Sequence, residues 1–139
     1  MSSVQIRDRI AALVVVSRDL SVRDITRIVG LEPDDFREVG SIRSGIFMSR
    51  PAKDNSWELR ERSDPSIALS VLIDRLSSRI IPLRAQFADL KNHGCIIKLE
   101  LVQWVSALQD VGSGFALDQE LVELLSAIGA SIDVDQYVE

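Results

Sequence analysis

The amino-acid sequence predicts an α+β fold: a two-layer sandwich on a ferredoxin-like βαββαβ core, with an additional C-terminal helix and strand and the helices on one face of the sheet. Three observations predict it. SWELRER (56–62) and CIIKLEL (95–101) alternate apolar and polar residues at the period of half-buried strands. Between them, Leu69, Leu72, Leu76, Ile80, Leu83, Phe87 and Leu90 step by three or four residues without losing phase, which is the stripe of an amphipathic helix. The whole chain then reads as strand, helix, strands, long helix, strand, short strand, helix, strand. Strands with one apolar face fit a sheet covered on one side.

Each element has a local cause. Ile10 to Ser17 is valine-rich and apolar on both faces, as a central strand is. Ser21 and Asp24 have the spacing of a capping box, Leu20 and Ile25 that of a hydrophobic staple, and Ile25, Ile28 and Val29 form one apolar stripe. Gly30 stands where a left-handed helix end is wanted. Pro33 is placed to start a further turn of helix. Ile46 to Met48 suit a short edge strand, and Pro51 and Asn55 mark turns. In the next strand Trp57, Leu59 and Glu61 share one side, with Glu58, Arg60 and Arg62 on the other. SDPS (63–66) supplies a cap and a proline for the start of the long helix, whose solvent face carries Asp74, Arg75, Arg79 and Lys91. Pro82 falls inside that helix and removes a backbone donor, so a kink or a tight break is expected with both halves facing the same sheet. Ile97, Leu99 and Leu101 point inward from the following strand. A turn and a short extended piece lead to Asp118, the cap of a second amphipathic helix through Leu121, Val122, Leu124, Leu125 and Ile128, ended by Gly129. SIDVDQYV closes the chain with Ile132 and Val134 inward and Asp133 and Asp135 outward.

The totals exclude several functions. The 139 residues suit a single α+β domain over 1–139, and the balance of 46% apolar and 27% charged residues is globular. A net charge of −5 and a pI near 4.9 disfavour nucleic acid and anionic membranes and permit a basic protein partner. SVRDITRIVGLEPDDFR (21–37) has the outline of a helix-turn-helix. However, Glu32, Asp34 and Asp35 lie where a base-reading helix meets phosphates, so no nucleic-acid role is expected. The apolar run Ile10 to Val16 is followed by Ser17, Arg18 and Asp19 instead of a cleavage site, and no segment approaches the ~20 apolar residues of a membrane span. A cytoplasmic protein with no membrane partner is expected. Cys95 is the only cysteine and His93 the only histidine. No disulfide, no metal site and no cofactor are therefore expected.

Two groups of residues are candidates for function. Arg43, Arg50 and Lys53 form a local excess of positive charge in GSIRSGIFMSRPAKDNS (40–56). With Trp57 beside them they are candidates for binding a small anion. Arg60, Arg62, Lys98, Glu100, Asp133 and Asp135, together with Glu58, would lie on the outer sheet face as an interaction surface. Asp133 and Asp135 point the same way and could act with Glu100 as acid and base. No nucleophile or cofactor loop accompanies them, and no catalytic residue is assigned.

RDITRIVGLEPDDFREVG, SWELRE, LKNHG and above all FALDQELVELLSAIGASIDVDQYV resemble the uncharacterised bacterial family known as domain of unknown function 4279, over most of residues 10 to 137. The shared features are structural, and the resemblance implies a small cytoplasmic bacterial domain with no catalytic residues to carry over. The expected function is a non-enzymatic interaction or oligomerisation domain acting on a protein partner or on itself as a homodimer. An immunity-type role is one version. The alternative is a small-anion sensor of the ferredoxin-like regulatory type. A hydrolase built on the three carboxylates is a third reading.

Overall fold

The computed structural model describes residues 7–42, 51–106 and 114–138. It is α+β. In chain order the elements are β1 (Arg9–Ser17), α1 (Val22–Val29), β2 (Asp35–Arg37), β3 (Asn55–Ser63), α2 (Leu69–Ile80), a 3-10 turn (Ile81–Leu83), α3 (Arg84–Asn92), β4 (Ile96–Val105), α4 (Gln119–Ala127) and β5 (Ser131–Val138). The strands form one five-stranded mixed sheet in the order β2-β3-β1-β4-β5. β1 is the middle strand, antiparallel to both β3 and β4, and β5 adds to β4 in parallel.

β1 is central because it has the residues for it. Ala11, Leu13 and Val15 face the helices, and Ala12 and Val14 on the opposite face are also buried. The core-side residues of β1 join Trp57, Leu59, Ile97, Leu99 and Leu101 from the flanking strands. Ile25, Leu72, Leu76, Ile80, Phe87, Leu90, Leu121, Leu124 and Ile128 from the helices complete one apolar cluster. Burial on this scale is what holds short helices in place, since none is long enough to be stable alone.

The helix ends follow the sequence closely at α1 and α4. Ser21 Oγ accepts from Asp24 N at 3.0 Å and Asp24 Oδ2 accepts from Ser21 N at 3.3 Å, closing the capping box. Gly30 takes the left-handed conformation at φ 83° and returns its N–H to the Thr26 carbonyl. Asp118 caps α4 through Leu121 N at 2.9 Å.

Four local expectations are corrected. The segment after Pro33 is not helical but forms β2, a short edge strand. Asp34 N donates to Glu58 O, and the Asp34 carboxylate accepts from Arg60 N at 2.8 Å, which zips the segment onto β3. Asn55 marks no turn. It opens β3, is buried, and its amide clamps Leu20 O and Val39 N, both at 2.9 Å. The long helix begins at Leu69, not at the proline, because Asp64 folds back on Ser66 N as a turn and Arg9 holds the Ile67 carbonyl. Its interruption at Pro82 is not a further correction: it takes the form of the tight break, a 3-10 turn of three residues, and Leu76, Ile80, Phe87 and Leu90 stay buried on both sides of it. Lastly, no regular strand precedes α4 between 114 and 118. The edge strand expected at Ile46 to Met48 lies outside the described residues.

Candidate functional site

The face of the sheet turned away from the apolar cluster, called the outer face, is organised in rows fixed by the strand register. One row runs Asp35, Glu58, Val14, Lys98, Ser131. The next runs Arg60, Ala12, Glu100, Asp133, and the next Arg62, Ile10, Val102, Asp135. Alternation in the sequence thus brings the six expected face residues, Arg60, Arg62, Lys98, Glu100, Asp133 and Asp135, onto one surface. The middle of that surface is not open. Ala12 and Val14 are 0% and 6% exposed because Glu58, Arg60, Lys98 and Glu100 lie over them from either side.

The two halves of the face differ in charge balance. On the β2–β3 half, Arg60 reaches Glu58 at 3.0 Å and Asp35 at 3.1 Å. Burial pushes the Glu58 carboxyl above its ordinary range, with Arg60 working against that shift. Round the end of the sheet, Arg79 of α2 bonds both Asp34 at 2.9 Å and Glu61 at 2.8 Å. Arg79 is therefore a tie between helix and sheet and not part of the solvent face. Burial is the largest single influence on Asp34 and would raise its pKa. The hydrogen bonds from Arg79 and the Arg60 amide, with both positive charges, together hold it below the ordinary value.

On the β4–β5 half, acid is in excess. Lys98 Nζ lies 3.2 Å from Glu100 and 3.7 Å from Asp133. Asp135 has no cationic partner among the described residues. Two carboxylates therefore share one lysine, and the third is left without a cation among the described residues.

β5 itself is the least covered element. All eight of its residues are exposed. Ile132 and Val134 do lie on the helix side of the sheet, opposite Leu99 and Leu101, as the alternation predicts. They are nevertheless 45% and 48% exposed, whereas Leu99 and Leu101 are at 0%. The main contacts of α4 are with α3 and the 3-10 turn, and both side chains are left open to solvent. Val138 adds to the uncovered apolar surface of β5; Val122 of α4, expected on the buried stripe of its helix, is also exposed. Register is pinned at the far end by a stacked Trp104–Tyr137 pair at 4.7 Å and by Gln103 donating to Gln136 at 3.1 Å.

The other expected group does not assemble around Trp57. That side chain is wholly buried, donates from Nε1 to Thr26 Oγ1 at 3.1 Å and meets Phe87 edge-on. It has no surface to offer an anion. Lys53 is exposed at the bend before β3, while Arg43 and Arg50 lie outside the described residues. Burial raises the pKa of the Cys95 thiol, partly opposed by a hydrogen bond from Ser17, which disfavours the reactive thiolate. An open cleft between the proline break and the start of α4 is lined by Asp74, Asp118 and Glu120. Among the described residues no group of three or more histidine, cysteine or carboxylate side chains is placed to hold a metal, and no helix is long and apolar enough to cross a membrane.

A family model described as a domain of unknown function, DUF4279, matches residues 5–139. The chain belongs to that family. DUF4279 thus takes in the capped first helix, the tryptophan strand and the closing helix-to-strand passage, the segments whose residues resembled it. Its description assigns no reaction or ligand. No curated protein and no solved structure matches the chain.

The apolar surface around Ile132, Val134 and Val138 escapes sequence reasoning for a simple reason. Alternation says which side of a sheet a residue is on, but not whether a helix lies over it.

Proposed function

We propose that this chain is a non-enzymatic protein-interaction domain of ferredoxin-like two-layer type, with α4 and β5 added to the βαββαβ core. The strand order β2-β3-β1-β4 with its antiparallel pairings supports that architecture. The observation that carries the functional reading is β5, an eight-residue edge strand exposed along its whole length with Ile132, Val134 and Val138 uncovered on the helix side. Proteins normally protect such an edge with lysine, proline, a bulge or a covering element. SIDVDQYV has no lysine, proline or bulge and pairs regularly with β4 throughout; its only charges are Asp133 and Asp135, both on one face. Parallel strands are also usually covered on both faces. A surface of this kind suits a protein, either a separate partner or a second copy. Acidity favours a basic partner by electrostatic steering, and an immunity-type role against a basic toxin is one form of it. The setting for such a role is the cytoplasm.

Two measurements test the reading. Sedimentation velocity of the purified chain detects self-association, and affinity purification from host lysate with mass spectrometry detects a stoichiometric partner. One of the two is expected. A monomer that recovers nothing overturns the proposal.

A further inference from the structure

We infer that β5 is a docking edge for one extended segment of a different protein, added to the sheet as a sixth strand, in which basic and aliphatic residues alternate. The inference rests on the interaction reading above and specifies its partner.

The geometry sets the pattern. Strand addition supplies main-chain hydrogen bonds along the open side of β5, and side-chain specificity comes from alternate positions. On the outer face the incoming strand meets Asp133 and Asp135. The first has a lysine already shared with Glu100 and the second has no cationic partner among the described residues, so both favour cations opposite them. On the helix side it meets Ile132, Val134 and Val138, whose exposed surface favours aliphatic residues. A strand reading basic, aliphatic, basic, aliphatic satisfies both faces at once.

Charge also argues against a second copy as the occupant. A two-fold axis perpendicular to the sheet pairs two β5 strands antiparallel and keeps each face on its own side. Centring that axis on Asp133 sets Asp133 opposite itself. Centring it on Val134 sets Asp133 opposite Asp135, and centring it on Asp135 sets Asp135 opposite itself. Like charges directly opposed are destabilising. Centring on Gln136 avoids the clash but pairs only Val134 to Val138 and leaves Ile132 without a neighbour, and centring on Ile132 avoids it but pairs only residues 131–133 of the strand. An unlike partner has no such conflict.

The test uses the intact chain and three probes: an eight-residue capped peptide alternating lysine and valine, its glutamate–valine counterpart, and the lysine peptide N-methylated at every second residue, made in both phases. Binding is read from backbone amide shifts and isothermal titration. The lysine peptide is expected to move the amides of residues 131–138, with the glutamate peptide inert. One of the two N-methylated phases should lose binding, because its donors face β5. The double substitution Asp133→Lys, Asp135→Lys should weaken the lysine peptide by about tenfold and admit the glutamate peptide. These side chains are exposed, so an unchanged melting curve is expected and is checked. The proposal is overturned if the lysine peptide leaves β5 undisturbed, if both N-methylated phases bind equally, if the charge swap leaves the preference unaltered, or if the chain proves to be a dimer cross-linked through β5. Should the peptides fail while the charge-swapped chain still captures the partner of the wild type, only this assignment falls. Loss of every partner from the wild type would remove the interaction reading as well.

Discussion

Asp34 and Glu58 lie close together yet respond to acid in opposite senses. Asp34 has a folded pKa below its ordinary 3.8, so its ion pairs contribute stability above that value and lose it as pH falls through the depressed pKa. Glu58 has a folded pKa above its ordinary 4.5, so its ionisation opposes folding as pH rises between the two values, and protonation relieves that cost. Asp34→Asn should therefore lower the melting temperature above pH ~5, with the gap from wild type closing below pH ~4. Thermal denaturation across pH 3 to 7 checks the sign; a gap that widens in acid contradicts it. Trp57 is legible from sequence as a core-side residue of β3, but its use is not. The indole N–H reaches Thr26, a contact between segments far apart in the chain that no local pattern encodes. Trp57→Phe should cost about 1–3 kcal/mol, through a small void and an orphaned hydroxyl acceptor, by chemical denaturation.

At the scale of elements, the structure separates what local chemistry determines from what packing determines. The capping box at Ser21, the left-handed Gly30 and the cap at Asp118 need only neighbours in sequence, and all three were readable. Ser21→Ala should accordingly cost about 1 kcal/mol. β2 was not readable, since three residues become a strand only because β3 is there to receive Asp34 and Asp35. The proline break shows both effects. Its position is sequence, but its form, one 3-10 turn that preserves the stripe, comes from the core on either side. The candidate interaction face was likewise only half legible. Alternation found its charged residues, while the exposed aliphatics of β5 depend on where the helices come to rest. Because β5 pairs with a single strand among the described residues and all eight of its residues are exposed, its amides are expected to exchange fastest among the long strands. Hydrogen exchange by mass spectrometry measures this directly. Protection of β5 equal to that of β1 in the free monomer would contradict it.

In the molecule as a whole, the core stops between β4 and β5. Leu99 and Ile132 are neighbours across that boundary on the same face, one at 0% exposure and the other at 45%. Their truncations should differ accordingly. Leu99→Ala should cost about 2–5 kcal/mol, and Ile132→Ala less than about 1 kcal/mol. Equal losses in a denaturation series would mean that the apolar cluster extends to the edge. The two tryptophans fall on opposite sides of the same boundary. Trp57 emits from a dry interior, whereas Trp104 is half-buried and stacked on Tyr137 at the open margin. The chain thus carries two built-in optical reporters, one for the interior and one for the margin, and replacing either indole would let the melting of each be followed by its own fluorescence.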